Sequence, residues 1–409
     1  MKILHLSPYS PVPADFGGAL RIYYLLRGLS LRHEVTFVTL GDDKEKKELI
    51  DEFGSLVKQI YVINHEPLPV KSSWLAMLHA LWNRQGYFEM YMKNIQLQKL
   101  LDKLFQTEQY DLVLMEFPVM DAFKLPDNII QILDEHNVEY RNFQRMYKGT
   151  KFLFRKLFYF REFRKMLKKE IRTCQSVDAI MVTSRHDKRI LKRNIKKTPI
   201  FIIPNGVDTT YFTPTSEKIE PFSMVFTGTM NYLPNSDAMH YFLDAIFPLI
   251  RKSVPEAKIY IVGKNPPASL KRRASENVII TGIVDDVRPF VRKSSVYVVP
   301  LRMGSGTRLK ILEGLSMEKA IVTTKIGCEG IEVNDEKHVL IADKPASFAK
   351  KVVELMHDKE RMKTLGSNGN KLVNQKYTWN AIASSMNDEL MNFYDHRKDL
   401  NATETEFLK

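Results

Sequence analysis

The sequence has only two cysteines, Cys174 and Cys328. They are too few and too far apart for a disulfide framework or a cysteine metal site, and they favour a reducing, cytoplasmic setting. Long apolar runs are also missing, because no stretch approaches the roughly 18 continuous apolar residues of a membrane span. The first apolar run, residues 2–6, is shorter than a signal peptide requires and predicts a buried strand.

Metal-binding motifs and repeats are absent as well. No Asp-X-Asp motif stands at the end of a predicted strand, and no short repeat or low-complexity tract is present. Positive charge, in contrast, is in excess, with a formal net charge of +13. This excess favours an anionic partner, such as a nucleotide, a phospholipid surface, a phosphorylated acceptor or a nucleic acid. A basic protein that is merely soluble is the open alternative. A nucleic acid is not expected, because no helix-turn-helix or RNA-binding sheet is recognisable.

Short apolar runs alternate with helical patterns along the whole chain. Strands are predicted at residues 2–6, 34–40, 59–63, 111–115, 129–133, 179–183 and 200–203, and again at 223–227, 258–262, 278–281, 296–300, 320–324 and 339–342. Helical patterns separate them, including long ones at residues 71–102 and 237–252, and Pro248 predicts a kink near the end of the second. This alternation predicts an α/β protein with two doubly wound parallel sheets, in which ligands bind beyond the carboxyl ends of the strands.

Turn residues near Pro204 suggest where the first domain ends. The strand at residues 200–203 runs directly into Pro204-Asn205-Gly206. We therefore predict an N-terminal domain at residues 1–203 and a C-terminal domain at residues 204–379. A final helix at about residues 380–400 is expected to pack back on the first domain. Two such domains would face each other across a cleft.

Residues 304–313 are the most informative segment. Its glycine-rich start leads into a predicted helix, whose N-terminus offers free N–H groups and a partial positive charge. Arg308 and Lys310 add two cations, which suits a diphosphate. Glu313 could accept hydrogen bonds from two ribose hydroxyls. A salt bridge between Lys310 and Glu313 is the open alternative for that carboxylate.

An ordered set of motifs resembles one enzyme family. Residues 299–324 resemble the donor-site motif of the group 1, family 4 glycosyltransferases. Further matches follow in the family's order: Gly17-Gly18 with its N-terminal glycine loop, residues 33–36 with its H-E-V-T strand start, residues 203–208 with its interdomain signature, Gly228 and Gly263 with its strand-end glycines, and residues 281–287 with its base-contacting loop. The resemblance extends from Met1 to about Tyr394. It implies a GT-B fold of two Rossmann-like domains and sugar transfer from a nucleotide sugar with retention of configuration.

The resemblance also implies site residues. The expected catalytic residues are His136, Arg308 and Lys310. The expected donor-binding residues are Gly17, Gly18, Gly228, Gly263, Val284, Gly304, Ser305, Gly306, Thr307 and Glu313. No protein nucleophile, cofactor or metal ion is expected; the donor is a nucleotide sugar and the acceptor a saccharide or a lipid-linked saccharide.

His136 follows a predicted strand, close to where the family places the transferred sugar. A purely structural role at the strand end is the alternative for this histidine. Asp134, Glu135 and Glu139 are other candidate polar contacts.

Two departures from the family's pattern affect these expectations. Ser305 stands where the family often has a glutamate, and residues 229–235 lack the arginine and lysine that often follow the glycine at position 228. We therefore expect Arg308 and Lys310 to neutralise the diphosphate. The expected function is hexosyl transfer in envelope polysaccharide, lipopolysaccharide or glycoconjugate synthesis. A catalytically degenerate binding protein and a GT-B-fold epimerase remain alternatives.

Residues 151–172 form a basic, aromatic-rich amphipathic stretch, with nine basic and two acidic residues. Such a helix can lie on an anionic membrane, which would suit a lipid-linked acceptor on the inner face. The alternative is a helix whose apolar side packs on the first domain and whose basic side faces solvent.

Overall fold

The computed structural model describes residues 1–64, 94–150, 152–304 and 306–407, with side chains described up to residue 399. The chain divides into unit 1, Met1–Pro204 with Ile382–Lys409, and unit 2, Asn205–Ala381. Ser305, Lys151 and most of the helical stretch predicted at residues 71–102 lie outside the described residues. Among the described helices, none combines the length and the apolarity that crossing a membrane requires.

Unit 1 is built on a seven-stranded parallel sheet in the order β3-β2-β1-β4-β5-β6-β7. The strands are β1 (Lys2–Ser7), β2 (Glu34–Gly41), β3 (Gln59–Asn64), β4 (Leu112–Glu116), β5 (Ile130–Glu135), β6 (Ala179–Val182) and β7 (Ile200–Ile202). The described helices are α1 (Gly17–Ser30), α2 (Asp43–Phe53), α3 (Ile95–Thr107), α4 (Glu139–Gly149), α5 (Leu153–Ser176) and α6 (Arg185–Leu191), with a 3₁₀ turn at Pro118–Ala122. The central strands are buried almost throughout, as expected for a parallel sheet covered on both faces.

Unit 2 repeats this plan with a six-stranded parallel sheet in the order β10-β9-β8-β11-β12-β13. Its strands are β8 (Glu220–Thr227), β9 (Lys258–Val262), β10 (Val278–Gly282), β11 (Ser294–Val299), β12 (Ala320–Thr323) and β13 (Leu340–Ile341). Its helices are α7 (Leu233–Tyr241), α8 (Phe247–Ser253), α9 (Ala268–Lys271), α10 (Arg288–Lys293), α11 (Leu309–Ser316), α12 (Pro345–His357) and α13 (Lys359–Lys376).

The helix predicted at residues 237–252 is interrupted. A π-helical turn, Phe242–Ile246, separates α7 from α8. Pro248 stands in the first turn of α8, where its missing N–H costs no helical hydrogen bond. The wider turn before it allows the helix to restart at the proline.

The last helix, α14 (Trp379–Phe407), joins unit 1 from Ile382 onward. The His33 ring lies 2.7 Å from the Asn387 side chain, and the Tyr394 hydroxyl donates to Asp111 at 2.9 Å. Arg397 pairs with Asp178. These contacts attach α14 to loops at the start of several strands of unit 1.

Arg21 is the largest fully buried side chain of unit 1. Its guanidinium donates to both carboxylate oxygens of Asp134, each at 2.7 Å. It also donates to the carbonyl oxygens of Ile203 at 2.8 Å and Pro204 at 3.2 Å. One side chain of α1 therefore binds the end of β5 and the chain that follows β7. Such a bidentate pair is strong only because the remaining donors are also satisfied.

Each sheet has a point where the strand order reverses. In unit 1 it lies between β1 and β4, and in unit 2 between β8 and β11. Loops at such a point diverge to opposite faces of the sheet and leave a crevice for ligands beyond the carboxyl ends of the strands.

Replacing Arg21 by methionine should destabilise unit 1 strongly, because Asp134 would be left buried without its cation. We expect a loss of about 3–5 kcal/mol in the free energy of unfolding, measured by urea denaturation of the full chain. Arg32→Met is the matched control, since Arg32 and Asp388 form an exposed pair at 3.8 Å, which should be worth less than about 1 kcal/mol. Equal unfolding midpoints for the two variants would contradict the assignment.

Candidate functional site

Two glycines of unit 2 let the turns after β8 and β9 pack backbone against backbone. Gly228 has φ +149° and Gly263 has φ +144°. A Cβ atom at Gly263 would lie 1.9 Å from the carbonyl oxygen of Gly228. Both the dihedral angle and the close approach therefore require glycine at Gly263.

Lys310 lies directly beneath the Gly228 turn. Its ammonium donates to the Thr227 carbonyl oxygen at 2.6 Å and to the Asn235 side-chain oxygen at 2.9 Å, and it lies 4.0 Å from the centre of the Phe226 ring. These hydrogen bonds hold it to β8 and the following loop rather than to Glu313. Burial lowers the pKa of Lys310 to about 7, although the nearby Glu313 carboxylate opposes that shift.

The loop after β11 folds around Arg308. Gly304 has φ +115° and Gly306 φ +74°, and the Arg308 guanidinium donates to the Gly306 carbonyl oxygen at 2.7 Å. Arg308 is only 9% exposed. Because α11 begins at Leu309, Arg308 occupies the N-cap position and makes no capping hydrogen bond through its side chain. The cation therefore stands at the positive end of the helix dipole, a combination that attracts an anion.

Thr307 and Glu313 add polar groups to the same segment. The Thr307 hydroxyl is buried and has no hydrogen-bond partner among the described residues. An unpaired buried hydroxyl is costly, so a ligand oxygen at this place would satisfy it. Glu313 lies in the second turn of α11, and burial raises its pKa to about 7 against the opposing charge of Lys310.

The described donor-binding residues predicted in unit 2, together with the predicted catalytic residues Arg308 and Lys310, lie in three places. Gly228, Gly263 and Lys310 meet at the ends of β8 and β9. Across the point where the strand order reverses, Gly304 and Arg308 meet in the loop after β11, which also contains Gly306 and Thr307 and leads into the helix that carries Glu313. Val284, in the loop after β10, packs against the hydrophobic core of unit 2.

His136 belongs to a buried cluster at the carboxyl edge of the unit 1 sheet. Its Nε2 lies 2.5 Å from one oxygen of Glu116, whose other oxygen lies 2.5 Å from Nε2 of His5. Burial alone would raise the pKa of Glu116, but the hydrogen bonds and charges of the two histidines outweigh burial and hold this pKa well below its usual range. Glu116 therefore fixes the orientation of the His136 ring and directs Nδ1 away from the carboxylate.

An aromatic series leads from the same histidine. The Phe117 ring lies 4.0 Å from the His136 ring, Tyr9 lies 5.7 Å from Phe117, and Phe16 lies 5.1 Å from Tyr9, all between ring centres. Phe117 has φ +68°, a rare angle for a bulky residue. Strain of this kind persists where the surroundings impose it, commonly at functional sites.

Gly17 and Gly18 open α1 beside this series. A Cβ atom at Gly18 would lie 2.2 Å from the Tyr9 hydroxyl, so Gly18 makes room for the tyrosine. Gly17 begins the helix after Phe16, which supplies no side-chain cap. The first N–H groups of α1 are thus left for backbone, solvent or a ligand.

The acidic residues predicted as alternatives to His136 are either hydrogen-bonded within the protein or fully buried. Asp134 is held by Arg21, and the Glu139 carboxylate accepts from Asn137 and Asn142, each at 3.3 Å. Glu135 is fully buried, and burial raises its pKa well above the usual value. Glu135 is therefore shielded from a ligand in solution.

Glu116, Asp134 and His136 also bring possible metal-ligand atoms within 4.8 Å of one another. Both Asp134 oxygens already accept from Arg21, and both Glu116 oxygens contact histidines. A divalent cation would have to break these pairs, so the cluster fits a hydrogen-bonded network better than a metal centre. Metal independence stays a prediction.

Glu116 and Phe117 were not predicted as site residues from the sequence. A signal was present, since Glu116 is an acidic residue that ends an otherwise apolar strand, residues 112–116. Its partner His5 is on β1, which pairs with β4, so only the strand order shows that the two meet.

Two family models match the chain. The one described as Glycosyltransferase Family 4 matches residues 17–211, and the one described as Glycosyl transferases group 1 matches residues 221–358. An uncharacterized 44.6 kDa protein in the cps region of Klebsiella pneumoniae is 23% identical over 404 residues, covering 94% of this chain and 98% of that protein. The uncharacterized glycosyltransferase MJ1178 of Methanocaldococcus jannaschii is 29% identical over 211 residues, covering 49% of this chain and 56% of that protein.

Among solved structures, Alr3699/HepE of Anabaena in complex with UDP has a TM-score of 0.67 at 14% identity. The match covers 96% of this chain and 100% of that chain. At this identity the likeness shows the fold alone. Two Rossmann-like domains with this strand order define the GT-B class of glycosyltransferases, as predicted. The chain belongs to the group 1, family 4 glycosyltransferases, so the predictions of fold class and family are confirmed.

Substituting Gly263 should test the close packing of the two turns. Gly263→Ala must displace the Gly228 turn, so we expect a loss of more than about 3 kcal/mol in the free energy of unfolding. Gly282→Ala is the control, because Gly282 also has a positive φ, +70°, but no atom lies within 4 Å of an added Cβ. That variant should lose only about 1–2 kcal/mol. Urea unfolding measures both, and equal losses would argue against the packing.

Proposed function

We propose that this glycosyltransferase moves a hexose from a nucleoside-diphosphate sugar to a saccharide or lipid-linked saccharide, with retention of anomeric configuration. The observation that carries the proposal is the loop after β11, where the N-terminus of α11, Arg308 and the unpaired Thr307 hydroxyl converge opposite the Gly228 turn and Lys310. This arrangement has the cations and donors that a diphosphate needs.

The gene region of one similar protein and the bound ligands of another support the same chemistry. The Klebsiella relative is a protein of a cps region, and Anabaena HepE has been solved with UDP-glucose and with UDP and glucose. We therefore propose that the acceptor is a growing envelope polysaccharide, lipopolysaccharide or other glycoconjugate, and that transfer takes place at the cytoplasmic face of the membrane.

Each residue has a proposed task. The α11 N-terminus, Arg308 and Lys310 stabilise the charge that develops on the departing diphosphate, a form of electrostatic catalysis. Glu313 accepts hydrogen bonds from the ribose, and the Val284 loop borders the base.

In unit 1, His136, oriented by Glu116, hydrogen-bonds a sugar hydroxyl or stabilises charge at the reacting carbon. The donor phosphate takes the acceptor proton on the same face, which accounts for retention without a protein nucleophile. No cofactor or metal ion takes part in this scheme.

The experiment is a screen of nucleotide sugars by thermal stabilisation, because a ligand of the native state raises the unfolding temperature by mass action. The stabilising donor is then incubated with candidate saccharides, with and without EDTA, and the anomeric configuration of the product is determined by NMR. Hydrolysis or transfer separates an active enzyme from a degenerate binding protein. Inversion, or loss of activity in EDTA, would correct the mechanism.

Arg308→Ala should lower the turnover of the donor by about 10²–10³-fold, the usual cost of removing one group that stabilises transition-state charge. Arg302→Ala is the matched control, because Arg302 belongs to the same loop but pairs with Asp237 at 2.6 Å and is half exposed. Steady-state kinetics with the donor found in the screen measures both variants. A wild-type rate for Arg308→Ala would refute the assignment.

The affinity for an intact nucleotide sugar should increase as the pH falls toward 7. Because the pKa of Lys310 is about 7 in the free protein, its side chain is largely a neutral amine at pH 8.5. An anionic ligand favours the protonated, charged form. Affinity should therefore rise by up to about tenfold per pH unit from pH 8.5 to 7. An intact donor is used because a terminal phosphate would itself titrate here.

Titration calorimetry of Glu313→Gln isolates this dependence, because Glu313 also has a pKa of about 7. Lys310→Met made in the Glu313→Gln background should bind with little pH dependence. The same slope in this double variant as in Glu313→Gln would assign the effect to another group.

A further inference from the structure

The start of α5 exposes an unusual set of large apolar side chains. Phe152 is 71% exposed, Leu153 83%, Phe154 42%, Leu157 49% and Phe160 39%. The other exposed large hydrophobic residues described for this chain are scattered singly or in pairs. A contiguous apolar patch on a protein surface usually marks an interaction site.

Further along the same helix the apolar residues are covered. Phe163, Met166 and Leu167 pack against the core of unit 1. The apolar stripe that the sequence shows over residues 151–172 is therefore two surfaces, one facing the core and one, at residues 152–160, facing outward. A purely structural role accounts for the first surface and leaves the second unexplained.

Basic side chains surround the outward-facing surface. Lys148, Arg155, Lys156, Arg161 and Arg164 are all exposed. The Arg155 guanidinium lies 5.8 Å from the Phe152 ring centre, and the Lys156 ammonium lies 5.6 Å from the Tyr147 ring centre. The single acidic residue between positions 147 and 164, Glu162, is buried and bonded to Lys165 at 3.0 Å. No exposed negative charge from this segment therefore offsets the cations.

We propose that this surface, here called the α4–α5 corner and defined as residues 147–150 and 152–164, docks on a bilayer that contains anionic phospholipids. Phenylalanine and leucine side chains enter the boundary between headgroups and acyl chains, and the arginine and lysine side chains reach the lipid phosphates. Charge complementarity argues for this occupant: a second copy meeting the same surface about a two-fold axis would oppose like charges.

The docking surface lies within unit 1 and does not depend on the donor site. Its link to the reaction rests on the proposed function, because a docked enzyme would meet a lipid-linked acceptor at the membrane. The surface and the reaction can therefore be tested separately.

The test is co-sedimentation of the full chain with vesicles of phosphatidylcholine alone or mixed with phosphatidylglycerol, at about 0.1 M and 0.5 M salt. We expect binding to the anionic vesicles that weakens at high salt, and little binding to phosphatidylcholine alone. The double variants Leu153→Ser with Phe154→Ser and Arg155→Glu with Lys156→Glu should each lower the partition coefficient by about tenfold or more.

Two controls match these variants. Leu31→Ser removes an apolar residue that is 68% exposed at the end of α1, and Lys271→Glu with Arg272→Glu reverses an exposed adjacent pair in unit 2. Both should bind vesicles like the wild type. Equal loss in variants and controls would show a general charge effect and refute the corner as the docking surface.

Other outcomes would also overturn the proposal. Absence of binding to anionic vesicles would refute it, and so would a concentration-dependent dimer that the corner variants abolish without any vesicle binding. Transfer to a water-soluble acceptor should be unchanged in the corner variants. If neither the wild type nor the corner variants transferred sugar, the proposed function would be rejected, while the vesicle-binding result would be unaffected.

Discussion

The buried ion pair between Arg21 and Asp134 is the constraint on which unit 1 depends. It joins α1 to the end of β5 and to the chain that leaves β7, three elements far apart in sequence. Asp134 also lies 3.5 Å from His136 Nε2, so the same pair supports the candidate site. Any displacement of α1 would leave a buried carboxylate without its cation and alter the field around His136. Stability and the geometry of the site are therefore set by one interaction.

Unit 2 uses a buried cation differently. Lys310 is held by a carbonyl oxygen, an amide oxygen and a ring face, none of which carries a full negative charge. The low pKa of Lys310 follows from that environment, because burial is not offset by an adjacent ion pair. An anion arriving at the Gly228 turn would provide the missing countercharge. A bound anion would therefore raise the pKa of Lys310 and favour its charged form.

The sequence predicted the parallel sheets because their strands read as short apolar runs separated by helical patterns. Family and fold class followed from motifs that each lie within a few residues, and both are confirmed. Contacts between distant segments were beyond such reasoning. Glu116 is hydrogen-bonded to His5 on the neighbouring strand. The Lys310 ammonium donates to Asn235 rather than to Glu313. The sequence periodicity also could not distinguish the apolar residues of α5 that pack on the core from those that are exposed. Only the packing of unit 1 separates the two sets.

The helix α14 belongs to unit 1 although it follows the whole of unit 2 in the chain. During synthesis, the ribosome must therefore complete unit 2 before unit 1 can acquire its last element. Until then the surface around His33 and Phe201, which α14 covers, stays open to water. A nascent chain of this design exposes that surface for many seconds at ordinary translation speeds. The order of the elements thus makes the first unit to emerge the last to finish folding.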